Sequence, residues 1–195
     1  MAAPRARRGV ANPALQYHTG APWLDLLATV GGAYGPAPVE RLRGHAELVE
    51  WLAHQGLSPL RPPEPTDVAV AIALREALRP VVLAAIADEP VDADALAALQ
   101  PWLDRTVPPQ VVVRDGRVAL EPPPTTEAAL AGLCRQAVEF LAGPERAHLG
   151  ACADENCHMA FLDPAQRRRW CKAEVCGVRA RVRAHRARAA SAPSE

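Results

Sequence analysis

Before Gly143 the apolar residues recur every three or four positions, the period of helices that bury one face. Trp23, Leu26, Leu27 and Val30 predict a helix over residues 22–34, with Gly31, Gly32 and Gly35 to end it. Leu48, Trp51 and Leu52 predict a second over 46–55, stopped by Gly56. Pro59, Pro62, Pro63 and Pro65 then make a stiff connector. Thr66 is placed to cap a long helix reaching about Ala87, with Val70, Leu74, Leu78, Val82 and Ile86 along it. Pro80 lies inside that helix and should kink or split it, because proline has no N–H to give the backbone ladder. A shorter helix is expected over 93–103.

The period changes over residues 110–120. Val111, Val112 and Val113 precede Asp115-Gly116, and Val118 and Leu120 follow. That order predicts a β-hairpin, since a type I′ turn needs positive φ at both central positions. Helical spacing returns over 126–141, where Leu130, Leu133, Cys134, Val138 and Leu141 form one stripe. Cys134 on it reads as a small buried hydrophobe. Gly143-Pro144 marks a boundary. The expected division is a flexible tail over 1–20, a helical domain over 21–143, a small module over 144–190 and a disordered tail over 191–195. The fold class is mainly α (α+β).

The small module holds four of the five cysteines: Cys152, Cys157, Cys171 and Cys176. They form two pairs with equal spacing, the pattern of two knuckles around one tetrahedral metal. Zinc is the expected ion, structural and single. The competing reading is two disulfides, but the N-terminal residues have arginines and no apolar core, so they make a poor secretory signal. In a reducing cytosol, paired cysteines favour metal. The spacing also lacks the usual iron–sulfur signatures.

Charge sharpens the picture. The formal net charge is zero. Yet residues 167–190 carry nine basic residues against Glu174 alone, so this segment is +8 and the remainder −8. A basic end on an acidic body points to a polyanion partner. Of the 22 basic residues only Lys172 is a lysine, which reads as GC-rich coding; the local cluster is the better evidence. The N-terminal Arg5, Arg7 and Arg8 read as part of a solvated tail. The longest aliphatic run, over 81–87, is far short of the roughly 20 residues that cross a bilayer, so no membrane partner is expected.

From Leu149 to Arg188 the chain resembles the CGNR zinc finger family. The matching pieces are Cys152 and Cys157, Phe161-Leu162-Asp163, Arg168-Arg169-Trp170-Cys171, and Cys176-Gly177 with Arg179. Members of that family commonly carry an N-terminal ABATE domain, and Leu24-Asp25-Leu26-Leu27-Ala28-Thr29 is similar to its opening motif. The chain has Val178 and Ala28 where the two motifs have asparagine, and its loop between Asp163 and Trp170 is short. The resemblance implies a treble-clef-like four-cysteine zinc module and a DNA-binding transcription regulator, at work in a bacterial cytoplasm and on its nucleoid.

The last helix is expected over about 175–189, with Cys176 at its positive end, where free N–H groups help stabilise thiolate. Lys172 and Arg179 lie close enough in sequence to offset the zinc-thiolate charge, and Phe161 and Trp170 should form a mini-core. On a helical wheel Val178 and Val182 share a stripe with His185 at its edge; Arg179, Arg183 and Arg186 flank it on one side, Arg181 and Arg188 on the other. The expectation is that the valines pack on the knuckles and the arginines form two rails for a phosphate-lined groove. Asp163-Pro164 should start a short helix that brings Arg167, Arg168 and Arg169 to the same surface. His158 reads as a surface residue rather than a fifth ligand. No catalytic set emerges, so an enzyme is not expected. Two other partnerships stay open: the basic module binding an acidic protein or RNA, and the helical domain dimerising or binding a small effector.

Overall fold

The computed structural model describes residues 14–190, with side chains through Arg188. The arginine group at 5–8 and the tail after 190 lie outside them. The order is α1 (Pro22–Leu27), β1 (Val30–Gly31), β2 (Val39–Glu40), α2 (His45–His54), α3 (Asp67–Ala87), α4 (Ala93–Ala97) and α5 (Gln100–Leu103). There follow β3 (Val111–Arg114), β4 (Arg117–Leu120), α6 (Thr126–Ala142), a 3-10 turn (Pro144–His148), β5 (Leu149–Ala151), β6 (Ala160–Leu162), a π turn (Ala173–Gly177) and α7 (Val178–Ala190). Each strand pair is an antiparallel two-stranded ribbon.

The core is helix on helix. Leu24, Leu26 and Leu27 of α1, Leu48, Trp51 and Leu52 of α2, Leu74, Leu78 and Val82 of α3, and Leu130, Leu133 and Cys134 of α6 are buried together. Burial pushes the Cys134 thiol up to about 11, as a packed hydrophobe requires. Thr125 caps α6 by accepting the Ala128 N–H, 3.1 Å. The 110–120 hairpin is as its sequence predicts, with Asp115 at φ 51° and Gly116 at φ 72°.

Four local expectations change. The first helix stops at Leu27 rather than 34, because the Thr29 hydroxyl donates to the Leu26 carbonyl, 2.7 Å, and Val30–Gly31 pairs with Val39–Glu40. Thr66 is already helical and makes no side-chain cap. Pro80 does not split α3: it sits on the exposed side, while Leu78, Val81 and Val82 around it are held in the core. The 93–103 helix is two short ones, since Pro101 cannot donate to a carbonyl four residues back.

Residues 14–20 are not a free tail. Thr19 and Gln16 are buried, and Thr19 gives both its N–H and hydroxyl to Asp25, at 3.2 and 2.7 Å. The Thr19 carbonyl accepts the Leu162 N–H, 2.7 Å. Leu149, Ala160 and Leu162 of the last ribbon also pack into the helical core. The cysteine module is therefore docked on the helical body through both strand and leader.

Candidate metal centre and basic helix

Pairing of Ala151 with Ala160 closes β5–β6 just before Cys152, so the first knuckle is the loop of this ribbon. The Cys152 backbone N–H donates to the Met159 carbonyl, 3.0 Å, and that of Cys157 to the Asp154 carbonyl, 2.7 Å. The second knuckle ends in the π turn, where the Cys176 backbone N–H donates to the Lys172 carbonyl, 2.9 Å. The two loops bring four buried sulfurs within 4.8 Å of one another.

The spacing fits zinc. Cys171 Sγ lies 3.7 Å from Cys157 Sγ and 3.6 Å from Cys176 Sγ. A tetrahedron with metal–sulfur bonds of about 2.3 Å has edges of about 3.8 Å. A disulfide would need about 2.05 Å, and no cysteine here is so bonded. The crowding of four thiols also calls for a cation. Hydrogen bonds foremost from Cys157, then Cys171 and Cys176, hold Cys152 towards thiolate, whereas Cys171 and Cys176 are pushed up, foremost by their bonds with Cys152. Four thiolates this close cannot all ionise without a dication. Cys152, Cys157, Cys171 and Cys176 would hold one structural zinc with no position left for substrate.

Packing around the cluster explains nearby residues. Phe161 is fully buried beside the sulfurs, with Met159 and Trp170 against them. A side chain at Gly177 would press on the Trp170 indole, at 3.2 Å, so glycine follows Cys176 for space. Arg168 lies over the Phe161 ring at 4.2 Å and donates to the carbonyls of Leu162, 3.3 Å, and Cys171, 2.7 Å. It is a brace. No helix starts at Asp163-Pro164; Asp163 instead accepts the Arg168 N–H, 2.5 Å, and ties off a tight turn.

The helical body adds one cation, Arg41, to those the module sets beside its own sulfurs. A cavity of about 90 Å³ between the two units is lined by Cys157, Cys171 and Cys176 and by Arg41, Lys172 and Arg179. Arg41 is only 5% exposed, donates to the Ala28 carbonyl at 3.0 Å, and has its pKa lowered by burial against the opposing pull of Cys157. A Cβ on Gly31 would collide with its guanidinium, so that glycine makes room for the charge. Lys172 donates to Gln16 Oε1, 2.9 Å, and beside it His18 is held below the usual imidazole range by burial and then by Lys172. Three cations thus face a centre that carries −2 when zinc is bound.

The basic helix is turned differently from expectation. Val178 and Val182 are 41% and 42% exposed, so they do not pack on the knuckles. Arg179, Ala180 and Arg183 form the partly buried side. Arg183 pairs with Asp154, Nη2 to Oδ1 3.1 Å, and reaches Glu155 at 3.6 Å. Asp154 is fully buried and also accepts the Asn156 N–H, 3.1 Å, so it shapes the first knuckle and anchors α7 at once. The reason is length: an arginine spans the gap from helix to knuckle, while a valine is too short. Arg181, Arg186 and Arg188 remain exposed with His185. Arg167 is also exposed, and Arg169 stacks on Trp170 at 5.0 Å. His158 is exposed and meets Tyr34 edge-on, at 5.2 Å, as a surface residue.

Arg41, Gln16 and Asp154 are site residues that sequence reasoning passes over. Only Asp154 had a signal: an acidic residue inside a knuckle opposite a basic helix.

Comparison with known families follows this architecture. Residues 148–189 match the CGNR zinc finger, and no curated protein matches the chain. Residues 20–144, more than half the chain, match the ABATE family, described as "Putative stress-induced transcription regulator". The protein belongs to the ABATE family and joins its domain to a CGNR zinc finger with a four-cysteine site for one structural zinc.

Proposed function

We propose that the protein is a zinc-dependent, DNA-binding transcription regulator. The metal-fixed knuckles orient α7 onto duplex DNA, and the ABATE domain senses a signal. The observation that carries the reading is the outward face of α7. Val178 and Val182 lie in line there, flanked by Arg181, Arg186 and Arg188. Recognition helices present their first turns to base edges, and Val178 opens α7. Valine suits contact with thymine methyls, and arginine suits guanine edges and phosphates. Arg167 and Arg169 supply further charge on the adjoining turn. Arg168, Lys172 and Arg183 have partners within the chain, so they position the surface more than they extend it.

The test is binding to a pool of duplex DNA by zinc-loaded protein and by a Cys152→Ser, Cys176→Ser variant across a salt series. Tighter binding by the loaded protein, weakening with salt, supports the reading. Equal affinity for both, or none, refutes it.

A further inference from the structure

The β3–β4 hairpin turns an apolar face to solvent. Register pairs Val111 with Leu120 and Val113 with Val118, which puts these four side chains on one side. They are 69%, 61%, 78% and 81% exposed, respectively. The partly covered side carries Val112 and Ala119 instead. A two-stranded hairpin is marginally stable alone, and an uncovered apolar face is a standing aggregation hazard. The patch also continues. Leu120 lines a groove of about 370 Å³ shared with Leu57, Leu60 and Val107 and walled by prolines.

We propose that this face is a homodimer interface, closed by the same face of a second copy about a two-fold axis. A second copy suits the face, because a two-fold contact needs only the same apolar patch on both chains. Charge is consistent with it: Arg114 and Arg117, paired at the hairpin tip, alternate to the other side with Val112 and Ala119, so no charge interrupts the apolar face that a second copy would cover.

The area is sufficient. The four hairpin side chains offer on the order of 400 Å² of apolar surface, the size of a monomer's largest patch, which is often functional. Leu60 and Val107, 58% and 50% exposed, extend it across the groove mouth. Doubled over two chains, the total approaches roughly 1,200 Å², where specific interfaces begin. This inference does not rest on DNA binding, although a two-fold pair would present two copies of α7, as dimeric regulators do to paired half-sites.

Sedimentation velocity on the full zinc-loaded chain tests it, from about 1 to about 100 µM, where transient dimers dissociate. Wild type is expected to sediment as two chains at the upper end, and a Val113→Asp, Val118→Asp variant as one chain throughout, with its far-UV spectrum kept. Should that variant not fold, the single Val113→Lys change repeats the measurement. A wild type of one chain at every concentration overturns the proposal, whatever else occupies the face. So does a folded variant that still pairs.

Discussion

Arg183 on α7 and Asp154 in the first knuckle form an ion pair, 3.1 Å between Nη2 and Oδ1, with the carboxylate wholly buried. This contact sets the rotation of the basic helix. It draws one arginine row inward and sends the valine stripe outward, so the surface offered to a partner is Val178, Val182, Arg181, Arg186 and Arg188.

Replacing Arg183 with alanine leaves the Asp154 carboxylate buried without its cation. Because Arg183 is itself part-exposed, water relieves some of the cost, and a loss of about 1–3 kcal/mol is expected. Denaturant unfolding of the zinc-loaded variant measures it. A loss no larger than that of an exposed substitution such as Arg188→Ala would mean the pair does not anchor the helix.

Arg41 should act on the metal from the other domain. Arg41→Ala removes a buried cation beside the zinc thiolates and is expected to weaken zinc binding about 10-fold or more. Competition with a chromogenic chelator gives the value. Zinc affinity should also rise with pH, because Cys171 and Cys176, both raised, must lose protons to bind metal. Unchanged affinity in the variant would separate Arg41 from the site.

Chelation should reach beyond the finger. A finger that folded on its own would unfold alone on zinc removal and spare the rest. With Leu149, Ala160 and Leu162 in the helical core and Gln16 bonded to Lys172, the apo chain should instead melt earlier as a whole. Far-UV dichroism reads the body and Trp170 fluorescence the finger, the latter in a chain whose Trp23, Trp51 and Trp102 are replaced by Phe. Two well-separated transitions would contradict the coupling.

The exposed valines give a fourth outcome. Val178→Ala with Val182→Ala should change stability by less than about 0.5 kcal/mol, unlike a core truncation. If they meet thymine methyls, replacing thymine by deoxyuridine in bound DNA should weaken wild type more than the variant. A large stability loss would return the stripe to the core.

The legible parts were those with a short-range cause. Cysteine spacing alone located the metal centre, Asp115-Gly116 located the hairpin, and the leucine period located α3 and α6. What escaped depends on distant partners. Arg41 matters only because Gly31 and the finger close over it, and Gln16 only because Lys172 arrives from the other end of the chain. The wheel of α7 gave the right stripes but the wrong facing, since apolar character favoured the valines and the buried Asp154 chose the longer arginine.

The most direct measurement of the central claim is duplex DNA affinity against salt for wild type, Arg186→Ala and Arg183→Ala. The predicted result is a slope lowered by about one for Arg186→Ala and unchanged for Arg183→Ala, whose arginine is already paired. Equal slopes for all three, or no binding by the zinc-loaded wild type, would contradict it.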